Sequence, residues 1–139
     1  MNSSSLSPAS LALLKGVHPD LVKVVLHAAE ITTQAFVVTE GVRTVDRERT
    51  LIAKGMSALK SPFRCRHVPT QCRQGVFGHA VDLVPLVGGK PVWDWKIIPY
   101  VARAMKTSAS QLHVSIEWGG DWKTFRDGPH YQLPWSLYP

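Results

Sequence analysis

The chain has 139 residues, 45% of them hydrophobic and 19% charged, a balance that fits one globular domain and excludes a disordered chain. Its net charge of +6 is scattered rather than blocked, so the surface favours anionic partners without forming a dedicated nucleic-acid arm. The opening "MNSSSLSPASLALLKG" has no basic segment before its short apolar run, and no later run nears the roughly 18 apolar residues of a membrane span. Neither a secretory leader nor a transmembrane anchor is expected.

Ser7 and Pro8 form a cap and first turn for a short helix that Gly16 ends. His18-Pro19-Asp20 opens a longer helix, with Leu21, Val24, Val25 and Ala28 at helical spacing. "AFVVTEG" reads as a β-branched strand closed by Gly41. "TVDRERTLIAKG" reads as a helix with Thr44 as cap and Gly55 as stop. Residues 56–78 show no period, hold Pro62, Pro69, Gly75 and Gly78, and read as a loop. "HAVDLVPLV" is a strand, "GGK" a turn, and "PVWDW" a short extended piece. A helix is expected from about Pro99 through "YVARAMKTSASQL", then strands in "HVSIEWGG" and "PHYQLPW". Helices flank short strands, an order that favours α+β with a small antiparallel sheet packed with helices.

Residues 65–85, "CRHVPTQCRQGVFGHAVDLVP", hold both cysteines, two of the six histidines and an aspartate. Alternation along the strand puts Ala80, Asp82 and Val84 on one face and His79, Val81 and Leu83 on the other. An acid among apolar strand neighbours needs a partner. His79 points away from it, which leaves His67, reaching in from the loop, as the better histidine. Downstream, "RDGPHYQL" offers His130 at the start of a strand and Asp127 just before it. His, Asp and His form a reasonable catalytic zinc set, since three protein ligands leave one position for water. Asp127 is then a carboxylate able to move that water's proton. From spacing alone this constellation is weak, because a lone histidine on a small domain is more often a hydrogen-bonded structural residue.

The ordered series "GVRT", a histidine loop, "GHAVDLVP", "EWGGDW" and "DGPHYQL" resembles the peptidase M15 family. Within it, the series is similar to phage endolysins that are L-alanyl-D-glutamate peptidases, relatives of D-alanyl-D-alanine carboxypeptidases and dipeptidases. The resemblance runs from about Pro19 to Leu133. It implies an α+β zinc peptidase of the D-Ala-D-Ala carboxypeptidase/hedgehog type, with Zn2+ held by His67, Asp82 and His130. It further implies Asp127 as catalytic acid/base and Arg43 as the cation facing the developing oxyanion; the bland reading of Arg43 is a surface salt bridge. One departure stands out: extra residues separate His67 from Gly78, and Cys65 replaces a serine usual in the family. Cys72 is therefore an alternative metal ligand.

The implied activity is cleavage of a peptide bond in the peptidoglycan stem, L-alanyl-D-glutamate before others, with host lysis as the outcome. A D,D- or L,D-carboxypeptidase is the alternative within that class. A non-catalytic zinc module using Cys65, His67, Cys72 and His79 to bind nucleic acid is a remote one, since the cysteines lack paired short knuckles. The expected protein is one catalytic domain over residues 1–139 without a wall-binding module. It is a monomer, stored in the host cytoplasm until the inner membrane opens, with peptidoglycan as partner, anionic outer-membrane components as electrostatic contacts, and no nucleic acid. The cysteines have three readings: free thiols, a disulfide formed in the periplasm, or metal ligands. Five tryptophans (Trp93, Trp95, Trp118, Trp122, Trp135) lie in the last third, with Trp118 or Trp122 expected to wall the cleft. His18, His27 and His113 are taken as structural.

Overall fold

The computed structural model describes residues 6–57, 59 and 61–139. The first five residues, part of the segment read above as lacking a leader, lie outside the described residues, as do Ala58 and Lys60 of the long loop.

Local signals account for the helices. Ser7 Oγ accepts the Ser10 amide at 3.1 Å and Pro8 fills the first turn, so α1 runs Pro8–Leu13. His18 caps α2 (Pro19–Ile31) through Nδ1, which accepts the Asp20 amide at 3.0 Å. Thr44 accepts the Arg47 amide at 3.0 Å and opens α3 (Val45–Ala53), and Gly55 at φ +71° ends the turn that follows. The last helix, α4 (Ile98–Leu112), stops at His113 in the left-handed region, φ 58°. It packs on α2, where the buried Ser108 hydroxyl donates to the Val24 carbonyl at 2.7 Å.

The strands are β1 (Phe36–Glu40), β2 (Thr70–Cys72), β3 (Gly75–Phe77), β4 (Ala80–Val87), β5 (Lys90–Pro91), β6 (Glu117–Trp118) and β7 (His130–Gln132). The main sheet is antiparallel in the order β1-β4-β7-β6, with β5 paired to β4, while β2 and β3 form a separate hairpin. Its two faces differ because side chains alternate. Val38, Val81, Leu83 and Tyr131 join Leu21, Val24, Val25, Val101 and Met105 in one buried core. Each such aliphatic side chain contributes about 1.5–3 kcal/mol on burial. Asp82, His130 and Gln132 take the opposite face. A bulge between Val38 and Glu40 shifts the β1 register, so that Glu40 pairs with Asp82. Asp82 in turn pairs with His130 on β7. Three polar residues thus lie side by side across three strands.

The α+β class and small antiparallel sheet agree with the sequence reading, with three local corrections. Residues 56–78 are not loop throughout: they contain a 3₁₀ turn at Pro62–Arg64 and the β2–β3 hairpin. Strands of three residues are too short to show a period. In "HVSIEWGG" only Glu117–Trp118 is strand, and Gly119–Asp121 turns as 3₁₀. In "PVWDW" only Pro91 is paired, with Leu86. Among the described residues, no helix is long and apolar enough to cross a membrane.

Candidate active site

The β1–α3 connection and the loop before β2 are stitched together by two hydrogen bonds. The Arg43 amide donates to the His67 carbonyl at 2.9 Å, and His67 Nδ1 lies 2.8 Å from the Gly41 carbonyl. A carbonyl only accepts, so Nδ1 carries the ring hydrogen and Nε2 keeps a lone pair. That Nε2 stands 3.2 Å from Asp82 Oδ1. His130 Nδ1 approaches the same oxygen to 3.4 Å. On the far side of its ring, His130 Nε2 meets Gln132 Oε1 at 2.7 Å, and Gln132 Nε2 donates to Glu117 at 2.9 Å. Gln132 therefore places the His130 hydrogen on Nε2 and frees Nδ1.

The donor atoms of His67, Asp82 and His130 lie within 4.8 Å of one another, and each histidine is held by a partner on its outer nitrogen. Two imidazoles and a carboxylate, each with an inward lone pair, suit zinc or another borderline divalent ion. In the metal-free chain, burial would raise the Asp82 carboxyl, but when an inward ring nitrogen carries a proton, hydrogen bonds and charge from His130 and His67 hold it far below the usual carboxylate range. Burial would lower His130, and its bond to Asp82 more than offsets this, keeping it above the ordinary histidine value.

Arg43 is no surface salt bridge. Its side chain is 12% exposed and takes Glu40 with Nε and Nη2 at 2.9 and 2.7 Å, Glu48 with Nη1 at 2.8 Å, and the Cys65 sulfur at 3.6 Å. Glu48 is fully buried and also accepts the Ser57 hydroxyl at 2.6 Å. The guanidinium is fixed, with Nη2 4.0 Å from Asp82 Oδ2. Burial and the Arg43 charge pull oppositely on the Cys65 thiol, and burial wins, raising it.

Asp127 lies on the opposite wall. Its amide donates to the Gly119 carbonyl at 3.1 Å, and its carbonyl accepts the His130 amide at 3.2 Å. Gly119 is required there because a Cβ would meet the Asp127 carbonyl oxygen at 2.3 Å. The residue is exposed at the cleft mouth, yet desolvation of its carboxyl and the neighbouring Asp82 charge raise its pKa above the ordinary aspartate value. The open cleft of about 1040 Å³ is lined by these residues and by Arg47, Arg64, Lys123, Arg126, Trp122 and Trp135.

All five residues singled out from the sequence (Arg43, His67, Asp82, Asp127 and His130) border this one cleft. His79 does not; its ligand atoms group with those of His18 and Cys72, so Cys65, His67, Cys72 and His79 do not form one ligand set. Both cysteines are free. Trp122 walls the cleft 5.2 Å from the His130 ring, whereas Trp118 stacks on Tyr131 in the core. Trp135 lies under Arg66, and Trp93 and Trp95 are exposed. Glu40, Glu48, Gln132 and Glu117 are functional neighbours that the sequence reading passed over. Gln132 was findable, two residues after His130 on the same strand face; Glu40 was hidden by the bulge, and no local pattern pairs Glu48 with Arg43.

Fold and cleft together define a class: a small α+β domain whose open, cation-lined groove carries a metal-competent His–Asp–His set with a separate carboxylate beside it. A family model described as phage L-alanyl-D-glutamate peptidase matches residues 2–132, and the chain belongs to that family. It is 31% identical over 115 residues to the L-alanyl-D-glutamate peptidase of Escherichia phage T5, covering 82% of this chain and 78% of that protein. The crystal structure of the Serratia marcescens L-Ala D-Glu endopeptidase ChiX is similar with a TM-score of 0.82 and 37% identity, covering 95% of this chain and 92% of the other.

Proposed function

We propose that this chain is a zinc-dependent endopeptidase of the M15 type that cleaves the L-alanyl–D-glutamate bond of the peptidoglycan stem and acts as a phage endolysin. The observation that carries this reading is the convergence of His67 Nε2 and His130 Nδ1 on one Asp82 oxygen at the floor of an open cleft. Those three residues would hold zinc, which when bound supplies Lewis acidity and brings the pKa of a water from near 16 down to about 7.

The chain's own residues do the rest. Asp127, with its raised proton affinity, takes the proton of the attacking water and delivers it to the leaving amine of D-glutamate. Arg43, held by two glutamates, keeps its charge and position while the substrate carbonyl oxygen gains negative charge, so no reorganisation is needed at that step. Arg64, Lys123 and Arg126 on the walls suit an anionic stem peptide. One catalytic domain carries all of this. It works as a monomer, waits in the host cytoplasm and reaches peptidoglycan once the inner membrane is breached. Its +6 charge favours anionic envelope components rather than serving nucleic acid.

Lysis of outer-membrane-stripped bacteria should stop in excess chelator and return with added zinc. Mass spectrometry of digested sacculi should show new N-terminal D-glutamate. Full activity without metal, or release of free D-alanine alone, overturns the reading; the second outcome identifies a carboxypeptidase.

A further inference from the structure

Outside the set of residues that lines the cleft, three residues meet from separate parts of the chain. His18 is the cap of α2, Cys72 ends β2, and His79 immediately precedes β4. Their ligand atoms lie within 4.8 Å of one another. Donors sharing one tetrahedral zinc-sized ion stand about 3.3–3.8 Å apart, given bonds of about 2.0–2.3 Å, so small side-chain adjustments close the set. The backbone beneath them is pinned: the His18 amide donates to the Gly78 carbonyl at 2.8 Å, and the Gly78 amide to the Gly16 carbonyl at 2.9 Å.

His79 points to a ligand independently of that spacing. It is 0% exposed, and neither ring nitrogen has a hydrogen-bond partner. Buried imidazoles ordinarily satisfy at least one nitrogen, because stripping water from an unpaired polar atom is unfavourable. The Phe77 carbonyl acts on the ring from nearby, though outside hydrogen-bond geometry. One nitrogen can turn its hydrogen that way while the other offers a lone pair. Gln74 Oε1 marks the point the other two donors address, 3.3 Å from His18 Nε2 and 3.6 Å from Cys72 Sγ.

We propose that His18, Cys72 and His79 form a second metal site, for a soft or borderline ion such as Zn2+ or Cu+, with Gln74 oxygen as a further donor. A thiolate with two imidazoles selects such ions over calcium or magnesium. The ion is structural: it ties the β2–β3 hairpin, the stretch that separates His67 from Gly78, to the start of α2 and the root of β4. Binding releases the Cys72 thiol proton and shifts the single His18 ring hydrogen from Nε2 to Nδ1, so His18 gives up its cap bond to the Asp20 amide for the metal bond. Cys72 and His79 are therefore the principal ligands.

Co2+ added alone to the chelator-stripped full chain tests this, because a thiolate ligand produces charge-transfer absorption in the near ultraviolet and the cleft set contains no sulfur. The wild type should bind two equivalents, one of them with that absorption. Asp82→Ala should keep the band with one equivalent, and Cys65→Ser should keep it unchanged. Cys72→Ser should lose the band, and His79→Gln, with its thiol intact, should weaken the sulfur-linked site at least tenfold. Co2+ or Zn2+ should also slow alkylation of Cys72 at least tenfold. Absence of the band from both wild type and Asp82→Ala overturns the proposal, as does its persistence in Cys72→Ser or undiminished affinity in His79→Gln. None of these readouts depends on peptidase activity.

Discussion

Asp82 and Asp127 border one cleft, and their surroundings push their proton affinities in opposite directions. Two imidazoles lower the proton affinity of Asp82, while burial and the Asp82 charge raise that of Asp127. That contrast fits a ligand and an acid/base. Asp127→Ala should keep near-stoichiometric zinc and its melting temperature while the rate falls roughly 10²–10⁴-fold, the usual worth of a positioned acid/base. Asp82→Ala should lose both zinc and rate; bound-metal analysis beside lysis rates checks the pair. In the metal-free chain, where burial and the Asp82 charge raise the Asp127 carboxyl, its titration followed by NMR should lie above the ordinary aspartate range, and Asp82→Ala should bring it down. Glu48 makes a different prediction. It is fully buried and anchors Arg43, so Glu48→Ala leaves a buried guanidinium short of a partner and should destabilise by roughly 3–5 kcal/mol, read from denaturant melts.

At the level of elements, the site depends on where three strands stop and on two turns. The bulge in β1 aligns Glu40 with Asp82, and β7 sets His130 on the other side. The Gly119–Asp121 turn then brings Asp127 back over the cleft through the Asp127 amide bond to Gly119. Gly119→Ala should force the Asp127 backbone outward, since the new Cβ would otherwise meet its carbonyl oxygen at 2.3 Å. The expected result is a rate at least tenfold lower, with zinc held more firmly than in Asp82→Ala because His67 and Asp82 lie on other elements, although the His130 amide bonded to the Asp127 carbonyl also shifts. Normal kinetics in that variant would show that the turn does not position Asp127. The added stretch after His67 folds as its own hairpin and returns the chain at Gly78, which is why His67 still faces Asp82.

For the whole molecule, the proposed activity makes charge a factor in how the chain would meet peptidoglycan. A net +6 on 139 residues, with cations along the cleft, favours approach to an anionic wall. Screening shortens from about 10 Å at 0.1 M salt to about 3 Å at 1 M, so digestion of sacculi should slow over that range. Turnover of a short soluble stem peptide should change much less, because contacts inside the cleft are less screened. Comparing the two substrates across a salt series separates long-range attraction from chemistry; equal sensitivity would remove the charge from the account.

Much of this protein was legible in its residues: caps at Ser7 and Thr44, the helix opening at His18-Pro19-Asp20, the apolar face of α2 and the α+β order. Asp82, Asp127 and His130 stood out as residues able to carry chemistry, and the fold brings them to one cleft. These are local signals, carried by neighbours within a turn or a strand. The partners of Arg43, the Glu117–Gln132 brace behind His130, the Glu40–Asp82 alignment and the meeting of His18, Cys72 and His79 were not legible. Each joins residues from different elements, and strand register, one bulge and the return path of a hairpin decide whether they touch. Periodicity reports which way a side chain faces along its own strand or helix. What it faces is set only when the sheet and helices pack.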